Sequence, residues 1–176
     1  IAHYPHMPFA GLQGPSFARE VENDQPTAVC LASPDPDFRK RMVKQLHQKQ
    51  FRLYTTDDIL GVQLGGAVKN VLAIAVGIAY GLGLGANASA ALITRGLQEL
   101  VRLGTTLGAN SATLYGLSGL GDLVLTAGDA QSRNRRFGQL LGEGLDVKTA
   151  CQRIQQTIEG ITAADDIHQL AIQHQV

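Results

Sequence analysis

The sequence predicts an α/β piece, the trailing edge of a layered sheet, followed by an all-α domain. Three observations carry this expectation. Residues 1–57 alternate short apolar runs with polar helical stretches, the strand–helix–strand grammar of an α/β layer. From Asp58 onward, apolar residues recur at helical spacing in longer runs separated by glycine-rich turns. Of the 176 residues, 44% are apolar and only 17% charged, against a usual quarter for charge, so material for a core is ample. Intrinsic disorder is excluded.

The elements follow in chain order. Ser16, in Gly14-Pro15-Ser16-Phe17-Ala18-Arg19-Glu20, reads as the N-cap of a helix whose free N–H groups could face a phosphate. Residues 27–32 have strand length and lie between Pro26 and Pro34. Residues 37–48 carry Phe38, Arg41, Met42, Gln45 and Leu46 at helical spacing, and residues 51–55 alternate like a half-buried strand. Residues 1–13, with two prolines and two histidines, fit a strand poorly. Asp57 or Asp58 can cap a helix to about residue 80, and Asn87 another to about residue 107. Shorter helices are expected near 111–117, 132–142, 147–156 and 162–173. The domain boundary therefore falls between 1–57 and 58–176.

Composition narrows the function classes. Fifteen basic residues balance fifteen acidic ones, so no global field steers the chain to nucleic acid or an anionic membrane. Two distant cysteines, Cys30 and Cys151, point to a reducing compartment rather than a disulfide framework. The start at Ile1 lacks a signal-peptide pattern, and the end at Val176 falls in or just after an amphipathic run. An excerpt of a longer protein is the expectation. No formal charge lies between Lys69 and Arg95, a stretch long enough to span a bilayer. Its interrupting glycines and polar residues, and its excess of Ala over Leu, favour two buried helices instead. Gly81-Leu82-Gly83-Leu84-Gly85-Ala86 matches a dinucleotide fingerprint in letters. It lacks the preceding strand, so a helix–helix turn is expected.

Four clusters could carry chemistry. Lys69, in Gly65-Gly66-Ala67-Val68-Lys69-Asn70, is the only formally charged residue between Ile59 and Thr94. A lone ammonium on a helix built for burial loses hydration, the setting in which a lysine moves protons. Gly65 and Gly66 open the helix surface one turn earlier, and Asn70 adds a donor and an acceptor. The plainer alternative is a lysine whose stem packs while its head reaches water. Ser132 reads as an N-cap placing Arg133, Arg135 and Arg136 in a first helical turn, against the helix dipole. A bound anion would resolve that conflict, and a solvated basic turn is the alternative. Asp122, leaving Gly119-Leu120-Gly121, could cap a helix, pair with Lys69 or accept from a substrate hydroxyl. The Ser16 loop is the fourth. His3 and His6, and His168 and His174, have no carboxylates at ligand spacing, so no metal site is assigned. No Ser or Cys sits in a nucleophile elbow.

Together these clusters resemble the bacterial-type NAD(P)-dependent glycerol-3-phosphate dehydrogenases. The resemblance rests on Gly14-Pro15-Ser16-Phe17-Ala18, the run from Ile59 to Asn70, and Ala91-Leu92-Ile93-Thr94-Arg95-Gly96. It continues through Gly119-Leu120-Gly121-Asp122-Leu123, Ser132-Arg133-Asn134-Arg135-Arg136 and Ile158-Glu159-Gly160, in family order. It implies the end of a Rossmann-like domain joined to a helical substrate domain like the C-terminal domain of 6-phosphogluconate dehydrogenase. The implied activity interconverts dihydroxyacetone phosphate and sn-glycerol 3-phosphate with NAD or NADP, in the cytoplasm, for phospholipid synthesis. Lys69 matches the family's catalytic lysine, with Asp122 and Thr126 near the substrate's reacting end and Asn70 among the substrate-binding residues. Ser132, Arg133 and Asn134 match the phosphate-binding group, Arg133 touching the cofactor as well. Gly14, Ser16 and Ala18 match a loop between substrate and cofactor, Ala18 on the cofactor side, and Glu159 matches a cofactor contact. The family's Gly-rich nucleotide loop, a second functional lysine before the Gly14 loop and its last helices have no counterpart here. Ala127 stands where the usual member has Cys. The glycine-rich buried helices would suit a homodimer. Two other readings stand beside this one: another two-domain hydroxy-acid or sugar-phosphate dehydrogenase, and a non-catalytic helical module that binds an anion.

Overall fold

The computed structural model describes residues 7–176. A three-stranded sheet in the order β1-β2-β3 forms from Gly11–Gln13, Thr27–Ala32 and Phe51–Thr56. β2 and β3 run parallel, Thr27 opposite Phe51 and Ala32 opposite Thr56, joined by the crossover helix α2, Pro36–Leu46. One face of the sheet, Val29, Leu31 and Leu53, packs on Met42 and Val43 of α2. The other, Cys30 and Ala32, packs on Val62 at the start of the next helix. β2 is thus covered on both sides, which is why it reads as a continuous apolar run rather than an alternating one.

Residues 11–13 do form a strand, against the sequence expectation. β1 lies antiparallel to β2, Gly11 opposite Ala32 and Gln13 opposite Cys30. Both prolines counted against the segment precede residue 11, so neither removes a ladder donor. Ser16 does not cap α1, Ala18–Glu22: Phe17 occupies the cap position, and the Ser16 hydroxyl turns back to donate to the Gly14 carbonyl at 3.0 Å.

The helical part is organised around α3, Ile59–Gly81. Asp58 caps it by accepting from Gly61 N–H at 2.8 Å, and its other oxygen accepts from Asn110 N–H at 2.8 Å. α4, Gly85–Thr106, returns along α3; α5, Ser111–Leu114, leads into a π-helical turn, Leu117–Gly121, and α6, Asp122–Gly128. α7, Arg133–Gly142, α8, Val147–Ile154, and α9, Glu159–Gln173, complete the order. α3 is long and apolar enough to cross a bilayer by length and composition alone. In this fold Leu64, Val68, Ala73, Val76 and Ile74 of α3 pack in clusters with residues of α4, α6, α7 and α9, the role of a central helix.

Asn87 is not the cap of α4. The helix starts at Gly85, two residues earlier, because Gly83 and Gly85 take φ of +73° and +82° and complete the reversal themselves. The fingerprint-like glycines are therefore a helix–helix turn, as expected. α9 likewise begins at Glu159 rather than near 162.

Candidate active site

Close approach of two backbones brings the first pair of groups together. At Gly65 on α3 an added Cβ would lie 2.2 Å from the Ser118 carbonyl oxygen, so only glycine lets the π-helical turn lie against α3. One helical turn further, Lys69 meets Asp122, the first residue after that turn. Lys69 Nζ donates to Asp122 Oδ2 at 2.5 Å. The carboxylate is 2% exposed and the lysine 16%. Lys69 is therefore not the lone ammonium that the sequence shows, and Asp122 pairs with it rather than capping α6.

Asp122 has further donors. Gln13 Nε2 reaches the same oxygen at 2.7 Å, and Thr126 Oγ1, one turn along α6, reaches Oδ1 at 3.3 Å. A buried carboxylate without such donors would be strongly unfavourable.

A second network joins α3, α7 and α9. Asn70 Nδ2 donates to the Gly66 carbonyl, and Asn70 Oδ1 accepts from Asn134 Nδ2 at 3.0 Å. Asn134, 3% exposed, also accepts from Gly160 N–H at 3.0 Å. Its amide is thereby spent on holding three helices together. Ser132 caps α7 as expected, accepting from Arg135 N–H at 3.2 Å. The N–H groups of Arg133 and Asn134 find no acceptor among the described residues and stay available to an anion.

The three arginines do not converge on one anion. Arg133 makes a two-pronged pair with Glu159, its Nε 3.0 Å from Oε2 and its Nη2 donating to Oε1. Arg135 stacks over the Tyr80 ring, 4.6 Å from its centroid, and Arg136 reaches Gln156 at 3.4 Å. Successive helical residues point about 100° apart, so a charged run in sequence fans out in space.

Nine of the residues singled out by sequence line one cleft of about 540 Å³. Ser16 comes from the loop after β1 and Ala18 from the start of α1, Lys69 and Asn70 from α3, and Thr126 from α6. Ser132, Arg133 and Asn134 come from the start of α7, and Glu159 from the start of α9. Gly14 and Asp122 line a smaller adjoining cavity of about 260 Å³ that shares Lys69 and Thr126. Sequence reasoning missed Gln13, Phe17, Gln131 and Gln156 in the wall. Gln13 carried a signal, a polar residue just before Gly14-Pro15, but lay in the segment discounted as a strand. Among the described residues no group of three His, Cys, Asp or Glu side chains is placed to hold a metal ion. His3 and His6 lie outside those residues. Both cysteines are free; burial, then the Asp58 charge, pushes the Cys30 thiol up, so it is no nucleophile at neutral pH.

Burial opposes the charge on Glu159. Its own backbone N–H, the Arg133 hydrogen bond and charge, and Asn134 outweigh burial and hold the carboxyl below its ordinary value. A depressed pKa contributes stability above the unfolded value, about 4.3 for glutamate, and loses it as pH falls through the folded one. The stability difference between the parent chain and Glu159→Gln, from urea unfolding, should therefore shrink steadily on acidification below about pH 5. A difference constant with pH would mean that the pair acts through packing alone.

The family model for the C-terminus of NAD-dependent glycerol-3-phosphate dehydrogenase matches residues 58–176. A glycerol-3-phosphate dehydrogenase (NAD(P)+) of Coxiella burnetii is 55% identical over 170 residues, covering 97% of this chain and 51% of that protein. One from Escherichia coli is 53% identical over 167 residues, 94% of this chain and 49% of its own length. The crystal structure of a Coxiella burnetii glycerol-3-phosphate dehydrogenase superposes with a TM-score of 0.93 at 56% identity, over 96% of this chain and 52% of that one. The Saccharomyces cerevisiae enzyme superposes with a TM-score of 0.82 at 27% identity, over 91% and 49%. The chain spans about half the length of the curated relatives it matches. With the family model covering the whole helical part, the chain belongs to the NAD-dependent glycerol-3-phosphate dehydrogenase family.

Proposed function

We propose that this chain supplies the substrate pocket and proton-transfer group of an enzyme interconverting dihydroxyacetone phosphate and sn-glycerol 3-phosphate. Residues 58–176 form its substrate domain, and residues 1–57 end its Rossmann-like NAD(P)-binding domain. The observation that carries the reading is one cleft lined by Lys69, which is paired with the buried Asp122 of the adjoining cavity, together with Arg133 and the open N-terminus of α7. A small phosphorylated hydroxy-ketone needs those two things: a proton donor at its carbonyl and an anion grip a few ångströms away.

Lys69 Nζ gives a proton to the substrate oxygen in reduction and takes it back in oxidation. Asp122 keeps the amine aimed, and Thr126 holds the carboxylate from behind. Ser132, Arg133 and the free N–H groups of α7 receive the phosphate, while Asn134 and Asn70 fix the wall. Gly14 and Ser16 form the loop over the substrate. A nicotinamide cofactor, NAD or NADP, supplies hydride chemistry when bound. The donor set fits one flank of it: Ala18 offers a small contact, Glu159 suits hydroxyls and Arg133 suits a phosphate. The two free thiols accord with a cytoplasmic setting.

Isothermal titration tests the reading. Joined to the nucleotide-binding half of the Coxiella burnetii relative, the chain should bind glycerol 3-phosphate, and Arg133→Ala should weaken it on the order of tenfold or more. Equal weakening for glycerol, which lacks the phosphate, would remove Arg133 from the anion site. The 176 residues alone are expected to show no NADH turnover; measurable turnover would refute that part.

A further inference from the structure

We infer that Gln13 is a positioning residue for the lysine centre: its side-chain amide fixes the Asp122 carboxylate, and the carboxylate fixes Lys69. The inference rests on the dehydrogenase reading above and concerns a residue that reading does not use.

Gln13 ends β1, far from both partners in sequence, yet its Nε2 lies 2.7 Å from Asp122 Oδ2. Lys69 Nζ lies 2.5 Å from that same oxygen. One carboxylate oxygen is therefore clamped between an ammonium from α3 and an amide from the sheet. The chemistry fixes which way the amide faces. An ionised carboxylate only accepts, so the nitrogen must point at Asp122 and Oε1 away from it. The remaining restraint on Asp122, Thr126 at 3.3 Å, acts on the other oxygen from the same helix. It cannot stop the carboxylate from moving with α6 relative to α3. Gln13 can, because it is anchored on a different element.

Gly66 provides the seat. A Cβ at that position would come within 2.8 Å of the Gln13 amide carbon and nitrogen, so the glycine leaves the space that the amide fills. Gln13 and Gly66 both line the main cleft, beside Lys69. A clamp at this point holds the amine at one angle to an incoming carbonyl, and small misplacements of a reacting group cost large factors in rate.

The test uses the chain joined to the same nucleotide-binding half, with Gln13→Met, which keeps length and removes the donor. Turnover with saturating dihydroxyacetone phosphate should fall on the order of ten- to a hundredfold. The KM should stay within about twofold, because no substrate contact is lost. Gly66→Ala, whose methyl displaces only the end of the glutamine side chain, should reproduce the loss and stands in if Gln13→Met does not fold. A second readout needs no cofactor. In the 176-residue chain, the Lys69 ammonium should give a slowly exchanging proton–nitrogen NMR signal, and either variant should broaden it away. An unchanged kcat in an active parent overturns the inference, as does a raised KM with kcat intact, which would make Gln13 a substrate contact. If the parent itself is inactive, the dehydrogenase reading fails instead, and an ammonium signal indifferent to Gln13→Met still overturns the positioning role.

Discussion

Replacing Lys69 by alanine, in an enzyme carrying both halves, is expected to lower the chemical rate on the order of a hundredfold or more. The same change leaves Asp122, 2% exposed, as a buried carboxylate without its countercharge. Breaking such a pair from one side costs about 3–5 kcal/mol; the Gln13 and Thr126 donors keep this case near the lower figure. Lost activity could then be blamed on lost structure, so the two effects have to be separated. The double variant Lys69→Met with Asp122→Asn removes both charges and keeps a donor and acceptor at 122. It should recover most of the stability, read by urea unfolding, and none of the turnover, read by stopped-flow absorbance of the reduced nicotinamide. Recovered turnover in the double variant would remove the proton-transfer role from Lys69.

Much of this was legible in the chain, because local physics writes locally. The caps Asp58 and Ser132 show as polar residues opening apolar periodic runs, and both act as caps. Lys69 stands out because it is the single charge in a long apolar stretch. Asn87 misled for the same kind of reason. A lone polar residue in an apolar run imitates a cap, while the positive φ angles of Gly83 and Gly85, which set the true start, leave no mark distinct from any other glycine. What could not be read were the partners. Lys69 and Asp122 are 53 positions apart, and Gln13 and Asp122 are 109 apart. No periodicity connects residues on different elements; only the packing of α3 against the π-helical turn and β1 does. The arginine run shows the converse: neighbours in sequence that the helix sends to Glu159, Tyr80 and Gln156.

That packing makes the second large effect one of stability. Gly138→Ala should destabilise the fold by about 3 kcal/mol, although alanine in a helix interior is favoured over glycine by about 1 kcal/mol. A Cβ at Gly138 on α7 would sit 2.0 Å from the Ile74 carbonyl oxygen on α3, and 2.8 Å from its carbonyl carbon. On the reciprocal side, a Cβ at Gly77 would sit 2.1 Å from the Arg135 carbonyl oxygen. These are backbone atoms inside regular helices, so no rotamer change relieves the clash and the helices must separate. Separation acts on the site as well as on the core. α7 carries Ser132, Arg133 and Asn134, and the 3.0 Å Asn134–Asn70 hydrogen bond that registers them against Lys69 would lengthen as the helices part. Gly128→Ala is the control, since an added Cβ there meets nothing within 4 Å. At about 2–4 °C per kcal/mol for a chain of this size, Gly138→Ala should lower Tm by roughly 6–12 °C and Gly128→Ala should leave it nearly unchanged. A Tm for Gly138→Ala equal to or above the parent would mean that the two helices are not locked by their glycines, and the arginine-bearing wall would then need another support.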